Sequence, residues 1–130
     1  MENFDEICDL ENFFQQSKTF KNNKPFKYAF IEEFFKRDFY EKLFETYPEY
    51  EKDDGYWSTS TKFSKHQFYR GWGKYNPDHY VGQDSDPKLS PEWNKFYRFL
   101  HSDEFLNALK KFSGVAVDKM KTFRFMLYHK

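Results

Sequence analysis

The apolar residues of this chain are mostly rings, 18 Phe, 10 Tyr and 3 Trp, while Ile, Val and Ala are scarce. A core built from such a set depends on a few large, flat side chains, each removing about 150–250 Å² from water. Where the rings fall along the chain therefore decides what it can fold into. Most recur at helix or strand period, which favours a core role over stacking on bases or sugars. At 130 residues the chain suits one domain, within the usual ~100–150. Roughly two thirds of its unfolded surface can be buried at that size.

Ile7, Leu10 and Phe14, flanked by Phe4 and Phe13, make one face of an amphipathic helix over about residues 4–17. Cys8 falls within it, as a small semi-buried residue. Lys21-Asn22-Asn23-Lys24-Pro25 breaks that pattern and reads as a linker, so residues 1–23 form an N-terminal helix-and-linker segment ahead of a domain over 24–130. Phe26, Tyr28 and Phe30 alternate with Lys27 and Ala29, the period of a half-buried strand. Tyr40, Leu43, Phe44 and Tyr47 then predict a helix stopped by Pro48.

The stretch 51–89 is punctuated by glycines and prolines and interleaved with rings. A structureless loop of that length is uncommon in a compact domain, so one or two short strands are expected, with a hairpin around 60–72. Ser90-Pro91-Glu92 is a strong helix start, with Ser as N-cap and Pro at the first helical position. Trp93, Phe96, Tyr97 and Leu100 form the face of that helix. Ser102-Asp103-Glu104 opens another, carrying Phe105, Leu106, Leu109 and Phe112 and stopping at Gly114. Phe123, Phe125 and Leu127 alternate with Arg124, Met126 and Tyr128, a strand expected to pack on the helix of Trp93, Phe96 and Leu100. The fold class is α+β, helices packed on a few strands.

Charge argues against nucleic acid, because 21 cationic and 21 acidic residues balance and no basic stripe appears. No apolar run approaches the roughly 18–20 residues of a membrane span. The acidic N-terminus lacks the apolar region of a signal peptide. With a single cysteine, the expected setting is reducing and cytoplasmic.

His101-Ser102-Asp103 is a literal H-x-D, a spacing that can place imidazole and carboxylate together on iron. Between two helices, however, Ser102 is better explained as an N-cap with Asp103 complementing the helix dipole. No G-x-S-x-G, H-E-x-x-H or phosphate-cradling loop occurs. The aromatic-basic run Phe63–Tyr75, with Lys65, Arg70 and Lys74, is the best candidate contact surface. A twisted hairpin with rings inward and cations outward is the favoured account, given the neutral net charge.

Taken in order, these motifs resemble a known family. Lys24-Pro25-Phe26-Lys27-Tyr28-Ala29-Phe30-Ile31-Glu32-Glu33-Phe34-Phe35, followed by a helix with Leu43-Phe44 that ends at Tyr47-Pro48, resembles the opening of iron(II)- and 2-oxoglutarate-dependent oxygenases of the prolyl 4-hydroxylase-like superfamily. Pro91-Glu92-Trp93, Phe99 to Phe105, Leu109 and Phe112-Ser113-Gly114 resemble the helical pair that precedes the barrel in that family. Phe123 to Lys130 is similar to the strand leading into the iron site.

The resemblance covers roughly 24–130. It implies the helical support layer and first strands of a double-stranded β-helix (jelly-roll) dioxygenase, whose complete form uses Fe(II) and 2-oxoglutarate. It also places Tyr128 at a position that commonly lines the 2-oxoglutarate pocket, though an ordinary barrel tyrosine explains that residue as well. In the family the iron-binding H-x-D, a distal His and a basic residue follow such a strand, and none follows here. The expectation is a chain without catalytic or metal-binding residues of its own, inactive alone. Two explanations stay open, a truncated or split oxygenase and a free-standing interaction module using Phe63–Tyr75. The expected partner is a second copy or a complementing chain, paired along an open edge at 123–128.

Overall fold

The computed structural model describes residues 2–60, 66–73, 85–119 and 123–129. Their order is α1 (Leu10–Gln15), α2 (Ser17–Asn22), α3 (Arg37–Glu45), β1 (Ser58–Ser60), β2 (His66–Arg70), α4 (Pro91–Leu100), α5 (Asp103–Ser113) and β3 (Phe125–His129). The strands form one antiparallel sheet in the order β1-β2-β3. The α+β class holds, and so does the hairpin of β1 and β2.

The two later helices begin where their caps say. Ser90 Oγ accepts from the Trp93 amide at 3.2 Å, and Ser102 Oγ accepts from the Phe105 amide at 3.2 Å. Gly114 ends α5 with φ 72°, a conformation that costs other L-residues about 1–2 kcal/mol, and its amide closes on the Lys110 carbonyl at 2.8 Å.

The N-terminal half departs from expectation in four places. The helix expected over 4–17 starts only at Leu10, because Asp9 caps it by accepting from the Glu11 amide. Cys8, ahead of that cap, instead bridges Phe35 in extended form, and the Lys36 amide donates to the Ile7 carbonyl. A second short helix, α2, then runs through Lys21 and Asn22, which had read as linker. The break comes just before Pro25, whose ring disfavours helix in the preceding residue.

No strand forms over 26–30. Ala29 and Ile31 pack on the helices while Phe26 and Phe30 face water. Helix α3 is real but buries Phe39 and Leu43, and leaves Tyr40 and Phe44 exposed. Period marks a stripe of rings; it does not say which neighbouring stripe the rest of the chain will cover.

Two clusters make the helical core. One joins Ile7, Cys8, Phe39, Leu43, Phe99 and Phe105. The other joins Phe13, Ala108 and Phe112, with the Phe13 and Phe112 rings stacked at 4.4 Å. Leu10, Phe34 and Leu109 pack against both. Residues of the segment 1–23 thus share a core with α3, α4 and α5.

The sheet sits on α4. Phe125 is 2% exposed and meets Trp93 edge-on at 4.9 Å and Tyr47 at 5.4 Å. Phe123 approaches Trp93 and Phe96, each at 6.5 Å. The expected packing of this strand on the Trp93 helix is therefore present at Phe123 and Phe125.

Candidate functional site

Beneath the sheet lies a polar node that sequence reasoning missed. Arg70, in phase with Phe68 on β2, is 3% exposed, and its guanidinium pairs with Asp86, which is 0% exposed. A second donor to the same carboxylate oxygen is the Gly73 amide at 2.8 Å, and the Lys88 amide reaches the other oxygen at 3.0 Å. The Asp86 amide donates to Asn94 Oδ1 at 2.6 Å. Asn94 Nδ2 in turn donates to the carbonyls of Asp86, Leu89 and Ser90 at 3.0, 3.3 and 2.9 Å.

The guanidinium also lies 4.8 Å from the Tyr56 ring centre and 5.8 Å from that of Phe125. Lys88 covers Tyr56 from outside at 5.0 Å and pairs with Glu51 and Asp54. Burying two charges costs several kcal/mol each unless they are paired and fully hydrogen-bonded, and here they are. Among the described residues no buried side-chain nitrogen or oxygen lacks a partner. The node joins β2, α4 and the segment before α4. Its sequence signal was one cation in phase with a ring on a strand, which had read as outward-facing.

Within 63–75 the structure describes residues 66–73. Arg70 is buried, and Trp72 stacks on Tyr97 at 3.8 Å with planes 4° apart. Phe68 meets Tyr50 at 4.2 Å, and Arg124 lies over Tyr69 at 5.1 Å. Residues 61–65 and 74–84 fall outside the described residues.

Tyr128 pairs with Gln67 across β2 and β3. Alternation puts it in phase with Met126 and Arg124, on the face opposite Phe125. Its side chain is outside the described residues. The Tyr47 hydroxyl donates to the Met126 carbonyl of β3 at 3.3 Å.

His101 and Asp103 are not brought together as ligands. His101 Nδ1 lies 2.9 Å from the Tyr97 carbonyl at the end of α4, and its ring rests on Tyr97 at 4.1 Å. Asp103 sits in the first turn of α5, after the Ser102 cap. Among the described residues no group of three or more His, Cys, Asp or Glu side chains is placed to hold a metal ion, so these residues do not fit an iron site.

Burial, helped by the nearby Glu104 charge, pushes the Cys8 thiol up to about 11, which keeps it protonated and unreactive at neutral pH. A cleft of about 340 Å³ at the start of α3 is lined by Glu6, Lys36, Arg37, Asp38, Phe39 and Lys42, charges of both signs. Among the described residues, no helix is long and apolar enough to cross a membrane. Comparison with protein-family models, with curated proteins and with solved structures returned no match.

Proposed function

We propose that the chain is the helix-backed opening part of an iron(II)- and 2-oxoglutarate-dependent oxygenase fold, a support layer rather than a catalytic unit. One observation carries the reading: among the described residues the sheet is backed by α4, through Phe123 and Phe125, on one face only. The other face presents Arg124 and Met126, with Tyr128 in phase with them. In a double-stranded β-helix that second face looks into the barrel, where the co-substrate lies. Iron, when bound in a complete family member, supplies oxygen activation; no step is routed through the described residues of this chain, whose role is to hold β2 and β3 in register. The free edge of β3, among the described residues, is where the reading puts the next strand. An interaction module built on 63–75 draws less support, since Arg70 and Trp72 face inward.

The test is a titration of isotope-labelled chain with 2-oxoglutarate, with and without Mn(II), followed residue by residue by NMR. The expected result is a weak, saturable response at Arg124, Met126 and Tyr128, and no stoichiometric metal site. Silence on that face would overturn the reading. Stoichiometric Fe(II) that is lost in His101→Ala would overturn it equally, by making the chain its own metal site.

A further inference from the structure

Residues 27–31 lie between a bend at 24–26 and a turn at 32–33, form neither helix nor strand, and have no backbone hydrogen bond to another described backbone. Ala29 and Ile31 point inward, onto the Phe13 and Phe112 cluster. Phe26, Tyr28 and Phe30 are exposed together, 69%, 43% and 82%. Their rings touch in sequence, at 5.9 Å and 6.0 Å. Single exposed rings need no explanation, but a contiguous apolar strip marks an interaction site. The backbone is available as well. Asn23 Nδ2 occupies the Tyr28 carbonyl at 2.6 Å, on one side of the segment. The backbone groups of Lys27 and Ala29 have no partner among the described backbone.

We propose that this ladder is a homodimer interface, in which segment 26–31 of a second copy pairs antiparallel about Tyr28. Charge complementarity selects that occupant. Lys24 and Lys27 lie at one end of the ladder and Glu32 and Glu33 at the other, all exposed. Antiparallel self-pairing lays the basic end of each copy against the acidic end of the other, whereas parallel pairing would bring like ends together.

Charge also selects the register. With Tyr28 on the two-fold axis, Phe26 stands opposite Phe30 of the other copy and every ring meets a ring. Centring on Lys27 would oppose two lysines, and centring on Ala29 would set Phe26 against Glu32, both unfavourable. The arrangement is isologous and closes at two copies, so it yields a dimer and not a fibre. About two rings' worth of surface is open on each copy, at most roughly 400 Å². A standard interface buries about 800 Å² per partner, so this dimer is weak and depends on concentration.

The test is sedimentation of the full chain across a concentration series. A reversible monomer–dimer equilibrium is expected, weakened roughly tenfold or more in Tyr28→Glu, which opposes two carboxylates on the axis. Tyr28 is partly in water, so unchanged circular dichroism should confirm that the variant folds.

Oxidative cross-linking reads the register. Tyr28→Cys should form a covalent dimer, because cross-strand neighbours lie within disulfide reach. Phe26→Cys alone should not, since its two copies sit about 13 Å apart along the strands, but mixed with Phe30→Cys it should. Buried Cys8 does not compete. A monomer at every concentration overturns the proposal. So does a dimer indifferent to Tyr28→Glu, or one that cross-links through β3 or in another register.

Discussion

Asp86 holds three hydrogen-bond donors on one carboxylate, and Arg70 has its only charged partner there among the described residues. Removing the carboxylate would leave a buried guanidinium without a counter-charge and two amides without an acceptor. Asp86→Ala is therefore expected to cost about 3–5 kcal/mol in urea melts. Replacing both partners, as Arg70→Met with Asp86→Leu, should recover much of that loss, because two apolar side chains leave no charge stranded. A loss below about 1 kcal/mol for Asp86→Ala would show that water reaches the node. None of this was legible at Arg70 or Asp86. A cation beside rings on a strand has the same local sequence whether it faces water or a carboxylate 16 positions onward.

Among the elements, those with their own stop and start signals were readable. Ser90, Ser102 and Gly114 act through hydrogen bonds spanning three or four residues, so the local sequence contains both partners. Helix α3 lacks such a signal: Lys36 occupies its N-cap position and makes no side-chain capping bond. Its ring face was misassigned by one position, since Phe39 rather than Tyr40 is buried. Strand β3 was readable because its inward rings are in phase with α4. Phe125→Ala should cost on the order of 3–5 kcal/mol, given the cavity left between Trp93 and Tyr47. Denaturant melts check this, and an effect below about 1 kcal/mol would mean the sheet is not anchored through that ring.

On the scale of the whole molecule, the segment 1–23 and helices α3 to α5 share one set of contacts. Ile7 packs with Phe99, and Phe13 stacks on Phe112. Trp93 ties that core to the sheet through Phe125 and donates its indole N–H to the Leu43 carbonyl at 3.1 Å. Tryptophan fluorescence, which reports the sheet side, and far-ultraviolet dichroism, which reports the helices, should therefore melt together in one transition. Separate midpoints would show that the sheet and the helical layer unfold independently. By itself the sequence determined the α+β class, the helix pair after Ser90, the hairpin and the last strand, because local caps, turns and periodicity suffice for those. The tertiary structure decided which face of each aromatic stripe is buried, that 26–30 forms no strand, and that Arg70 turns inward. Those outcomes depend on surfaces contributed by distant parts of the chain. In a core made of rings many faces are apolar enough to bury, and only the available partners choose among them.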